Sequence, residues 1–206
     1  MKDMVGLSAV AERPVAIDDG EGVSSALLSA CQAGDRTALE RLFTDQAPRV
    51  YRWAVLLGLS GADAEDVAQE VLATAARRIG TCEAEAALSS WLYQITRRVV
   101  ANARRSAWVR RIFRRGEDDD AVPAFVGTAQ VEPDTELAVR RCFKRLSVMQ
   151  AEVLLLCEVE GYTRPEVAQM LGVPEGTVAS RLRLARDAFR RQWQSDAAVV
   201  DEGGGP

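Results

Sequence analysis

The chain has 206 residues, 48% of them hydrophobic, with 26 Lys and Arg against 30 Asp and Glu and a formal net charge of −4. That length suits one or two modest domains with a real core, and no apolar run approaches the ~18 residues of a membrane span. It contains no histidine, the commonest general base and metal ligand, and neither a Gly-rich phosphate loop nor a GxSxG elbow, so an enzyme, a metal site and a cofactor are all disfavoured.

Residues 1–23 read as a polar, disordered tail without the apolar stretch of a signal peptide, and a cytoplasmic protein without membrane insertion is expected. Four scattered cysteines (Cys31, Cys82, Cys142, Cys157) form no CxxC pair and read as free thiols in a reducing compartment. From residue 24 to 115 the pattern is helical. Asp35 is placed to cap a helix whose stripe is Leu39, Leu42 and Phe43. The next helix, "DAEDVAQEVLATAARRI", repeats Val67, Val71, Ala75 and Ile79. "LSSWLYQITRRVVANARR" then gives Leu92, Ile95 and Val99 on one face.

Charge is segregated along this half. "GADAEDVAQE" holds four acids and no base, whereas "RRVVANARRSAWVRRIFRR" (97–115) holds eight arginines and no acid. Basic surfaces suit nucleic acid and the acidic ones another partner. Residues 116–133, rich in Gly, Pro and acid, read as a flexible linker.

A second helical block spans 134–194, with two helices meeting near Ser147 and a short tail at 195–206. Thr163 and Glu166 match a capping box, with Pro165 in the first turn and Gly172 as the stop. "PEGTVASRLRLARDAFRR" (174–191) carries five arginines. At ~100° per residue, Val178, Leu182, Ala185 and Phe189 share an inward face. Ser180, Arg183, Leu184, Asp187, Arg190 and Arg191 lie opposite, with Thr177, Arg181 and Arg186 on the flanks. A capped helix, a Gly-containing turn and a basic second helix make a helix-turn-helix suited to the major groove. Leu184 either packs on a neighbouring helix or meets a thymine methyl. With no strand-like alternation, the chain is predicted to be all-α.

"AEVLLLCEVEGYTRPEVAQMLGVPEGTVASRLRLARDAFRR" resembles the C-terminal promoter-reading domain of bacterial sigma factors of the extracytoplasmic-function group. "DAEDVAQEVLATAARRI" followed by "SSWLYQITRRVVANARR" resembles the N-terminal domain of the same group. The resemblance covers roughly 25–194 and implies two small helical domains, sigma region 2 and sigma region 4, joined by the linker. It implies that Asp63, Asp66, Gln69 and Glu70 dock on the clamp helices of the β′ subunit of core RNA polymerase. It also implies that Trp91, Tyr93, Arg97, Arg98, Asn102, Arg104 and Arg105, within the segment 91–115, read the melted minus-ten promoter element. Trp91 and Tyr93 are equally readable as core. Thr177, Ser180, Arg181, Arg183, Leu184, Arg186 and Arg190 would read the duplex minus-thirty-five element, and an anti-sigma factor is the implied regulator. Two positions depart from the group's pattern: Arg98 stands where many members have Asn, and Ala179 where Lys or Arg is usual. The alternative is a stand-alone helix-turn-helix regulator, which needs no polymerase-docking helix.

Overall fold

The computed structural model describes residues 25–84, 87–113 and 133–202, and the side chains of 25–84, 87–106 and 135–195. The expected tail at 1–23, all but the last residue of the linker 116–133, and the side chains of 107–115 lie outside the described residues. Every regular element among those described is helical. Two compact units divide the chain, one built around the helices between Ser25 and Phe113 and the other around those from Pro133 onward.

The front unit contains α1 (Ser25–Gln32), α2 (Arg36–Leu56), α3 (Gly61–Arg78), a 3₁₀ turn (Ile79–Thr81) and α4 (Leu88–Phe113). Gly34, at φ +86°, takes the left-handed turn that separates α1 from α2. Asp35 then caps α2, its Oδ1 accepting from the N–H groups of Thr37 (2.8 Å) and Ala38 (3.2 Å). The apolar stripes bury as the spacing requires. Val67, Val71, Ala75 and Ile79 of α3 and its following turn are buried, as are Leu92, Ile95 and Val99 of α4, and α3 packs along α4. A second cluster joins Leu28 and Cys31 of α1 to Ala38, Leu42, Ile79, Cys82 and Leu88. Trp53 and Tyr93 are fully buried and meet edge to face at 5.3 Å. Arg49 lies over the Trp53 ring at 5.1 Å while its Nη1 donates to Ser89 Oγ at 2.7 Å, so a single side chain ties α2 to the start of α4.

The back unit contains α5 (Pro133–Lys144), α6 (Val148–Leu154), a π-helical turn (Leu155–Val159), α7 (Arg164–Leu171) and α8 (Glu175–Glu202). Ser147 and Gln150 cap α6 reciprocally: Gln150 N–H donates to Ser147 Oγ (3.3 Å) and Ser147 N–H to Gln150 Oε1 (3.0 Å). At the start of α7, Glu166 Oε2 accepts from both the backbone N–H (2.7 Å) and the hydroxyl (2.6 Å) of Thr163. These bonds hold the Glu166 carboxyl below its ordinary range, the hydroxyl bond first. Gly172 ends α7 in the left-handed conformation at φ +66°. The spine of α8 (Val178, Leu182, Ala185, Phe189) is buried, and α8 packs on α5, α6 and α7. Phe189 meets Phe143 edge to face at 5.9 Å and stacks on Trp193 at 6.1 Å.

One boundary differs from expectation. The sequence pattern ends the helical block near Trp193 with a tail from 195, but α8 continues to Glu202. "SDAAVVDE" contains neither Gly nor Pro, so nothing stops the helix until the glycines at 203–205.

Candidate functional site

Three charged faces stand on this frame. The first is on α3. Asp66, Gln69 and Glu70 are exposed, opposite the buried Val67, Val71 and Ala75. Asp63 is only partly exposed and accepts from Ser60 Oγ at 2.7 Å in the first turn, where a carboxylate is favoured by the helix dipole. Glu65, which the motif does not single out, is exposed and sits one turn before Gln69. Its position at i, i+4 is the available signal. Glu65, Asp66, Gln69 and Glu70 therefore form the outer ridge, with Asp63 anchoring its N-terminal end. Like charges at i, i+4, as at Asp66 and Glu70, cost a helix ~0.2–0.5 kcal/mol each, a cost that a cationic partner reverses.

The second face is on α4. Arg97, Arg98, Asn102, Arg104 and Arg105 are all exposed, and so is Gln94, one turn before Arg97 and Arg98. Tyr93 has to be removed from this face. It is fully buried against Trp53, and a ring enclosed in the core cannot be offered to a base. Trp91 has both characters: it packs against the α1–α2 cluster, its indole N–H donates to Thr81 Oγ1 at 3.1 Å, and part of its surface remains exposed.

The third face is on α8. Ser180, Arg183, Leu184 and Arg186 are exposed, while Thr177, Arg181 and Arg190 are partly so. Leu184 is 46% exposed, so packing on a neighbouring helix does not account for it. Beside this face lies a hollow of about 720 Å³ between α7 and α8, whose charged lining is Glu158, Arg164, Arg183, Arg186, Asp187 and Arg190. Four guanidinium groups outnumber two carboxylates there. The carboxylates organise them: Glu158 accepts from Arg186, and Asp187 lies between Arg183 (3.6 Å) and Arg190 (3.5 Å). Cys157, also lining the hollow, has its thiol pushed up to about 11, by burial first and then by the Glu158 charge. Among the described residues there is no His/Cys/Asp/Glu group that could hold a metal ion.

The chain matches the family profile "Sigma-70 region 2" over residues 42–110 and "Sigma-70, region 4" over residues 136–189. It is 36% identical over 171 residues to the ECF RNA polymerase sigma factor SigM of Mycobacterium tuberculosis, covering 83% of this chain and 85% of that protein. The chain belongs to the extracytoplasmic-function (ECF) sigma factors. A second M. tuberculosis member, SigL, is 29% identical over 176 residues, covering 82% of this sigma factor and 96% of that protein. The fold agrees with two solved structures. The sigma factor RpoE, in complex with the anti-sigma factor NepR from Bartonella quintana, superposes at a TM-score of 0.61 with 22% identity, covering 76% of this chain and 97% of that one. CnrH, in complex with the cytosolic domain of CnrY, superposes at 0.57 with 18% identity, covering 86% and 97%.

As a sigma factor, the protein joins RNA polymerase and directs promoter-specific initiation. The region 2 match decides against the stand-alone regulator, which has no use for that domain. Among the described residues, no helix is long and apolar enough to cross a membrane.

Proposed function

We propose that the three charged faces divide the work of initiation. The α3 ridge of Asp66, Gln69 and Glu70, anchored by Asp63, docks on the basic clamp helices of the β′ subunit, where facing charges provide steering and register. The α4 face of Arg97, Arg98, Asn102, Arg104 and Arg105 tracks the phosphates of the opened minus-ten element while Trp91 stacks on an unpaired base. The α8 face enters the major groove of the minus-thirty-five element. Arg183 and Arg190 are suited to guanine edges or phosphate, Ser180 to either, and Leu184 to a thymine methyl. The linker between the units lets two weak contacts reinforce each other. The protein works in the cytoplasm, performs no covalent chemistry, and is held inactive by an anti-sigma factor that covers these same faces.

The observation carrying this reading is the separation of charge: carboxylates outward on α3, guanidiniums outward on α4 and α8, each backed by its own buried stripe. Core polymerase capture tests it. Asp66→Lys with Glu70→Lys should abolish capture and leave duplex DNA affinity intact, whereas Arg183→Ala with Arg190→Ala should do the reverse. Capture unaffected by the α3 charge reversal would refute the docking assignment.

A further inference from the structure

Helix α1 has no part in the three faces, yet its last residue reaches across the unit. Gln32 Nε2 donates to the backbone carbonyl of Cys82 at 2.8 Å and to that of Ile79 at 3.4 Å, holding both ends of the 3₁₀ turn that follows α3. The turn in turn holds Trp91. Thr81 Oγ1 accepts the indole N–H at 3.1 Å while its own hydroxyl proton goes to Arg78 O at 2.8 Å. The ring's other support is the apolar cluster that α1 shares with α2 and with Ile79, Cys82 and Leu88. A relay therefore runs from Gln32 through the turn and Thr81 to the one aromatic on the described α4 face that is not enclosed.

From this relay we propose that Gln32 and Thr81 are positioning residues for promoter opening: they fix the Trp91 ring in the orientation that receives an unpaired base. The inference rests on the assignment of α4 to the melted minus-ten element. An aromatic face gains stacking energy only once a base has left the duplex, so disorder in that face penalises the opened state and leaves the closed complex alone. Preorganisation is what the relay adds. A ring held both by a hydrogen bond at its N–H and by packing against the apolar cluster has fewer orientations to surrender when the base arrives. Gln32 and Thr81 are themselves exposed, so their polar groups are not there to fill space in the core.

The test is run-off transcription by holoenzyme assembled from the full chain and core polymerase. Matched templates are compared, one fully duplex and one with a pre-opened mismatch bubble at minus ten. Gln32→Ala removes both carbonyl bonds, Thr81→Val removes the acceptor for the indole, and Thr81→Ser restores it. Gln32→Ala and Thr81→Val should each slow initiation on duplex DNA about five-fold or more, the equivalent of one lost hydrogen bond. Both should return to within about two-fold of the parent on the bubble, where opening is already complete. Thr81→Ser should match the parent throughout. Normal duplex initiation by both variants overturns the proposal, as does an equal loss on the two templates. If Gln32→Ala lowers the thermal midpoint of the free protein, the comparison of Thr81→Val with Thr81→Ser decides the matter by itself. Arg97→Ala with Arg98→Ala is the control. Its failure to impair either template would remove α4 from the minus-ten element, and a loss there with normal Gln32 and Thr81 variants would remove only the relay.

Discussion

The guanidinium of Arg186 donates through Nε and Nη2 to one carboxylate oxygen of Glu158, joining α8 to the π-helical turn 28 residues earlier. The Glu158 side chain is 16% exposed and that of Arg186 43%, which sets this pair apart from the open surface pairs. Arg186→Ala strands a largely enclosed carboxylate and should destabilise the back unit by about 1–3 kcal/mol. Arg183→Ala removes a side chain that is 70% exposed and should change stability by less than about 0.5 kcal/mol. Urea unfolding of the two variants beside the parent checks the difference.

Leu182 and Leu184 stand two residues apart on α8, 5% and 46% exposed. Leu182→Ala should cost about 2–5 kcal/mol through lost burial and the cavity left behind. Leu184→Ala should leave the thermal midpoint where it is and weaken binding to the preferred minus-thirty-five duplex. Selection of duplexes from a randomised library should then show relaxed preference at a thymine position.

Asp187 lies between Arg183 and Arg190 and offsets part of their charge. Asp187→Asn should raise affinity for duplexes of arbitrary sequence and steepen its decline with salt by about one unit in log–log slope. Arg183→Ala should flatten the slope by a similar amount. Titrations at several salt concentrations give both numbers.

Cys157 provides a pH-dependent readout. Its thiol lies at about 11 in the folded unit against an ordinary 9.0. Between those values the folded protein keeps a proton that the unfolded chain gives up. This contribution to stability is fully present below pH 9.0, falls as pH rises, and is lost above about 11. Cys157→Ala should remove this part of the alkaline decline. At neutral pH, alkylation of Cys157 in the native protein should be slower than in the unfolded chain, by about ten-fold once the greater nucleophilicity of a high-pKa thiolate is counted, as followed by peptide mass analysis.

Much of the frame is legible in the sequence because it is local. The stripes Val67–Val71–Ala75–Ile79 and Val178–Leu182–Ala185–Phe189, the Asp35 cap and the Thr163–Glu166 box each depend on residues within a few turns of one another, and all are found in place. The site is less legible where geometry is angular or long-range. Trp91 and Tyr93 look like a pair of aromatics, yet two residues on a helix are ~200° apart, so only one can face outward. The Gln32 bonds span 47 and 50 residues and the Glu158–Arg186 pair 28, distances at which sequence spacing carries no signal. α8 continues beyond Trp193 because no Gly or Pro stands before position 203, although the short segment that follows Trp193 reads as a tail.

The narrow apolar spine of α8 has an evolutionary consequence. Val178, Leu182, Ala185 and Phe189 are committed to the scaffold, while Ser180, Arg183 and Leu184 project from it. On the proposed assignment of this face to the minus-thirty-five element, point substitutions at the projecting positions change the DNA address without touching the buried scaffold. On that same assignment, duplicated copies of such a gene would diverge in promoter preference one base at a time while continuing to share the same polymerase.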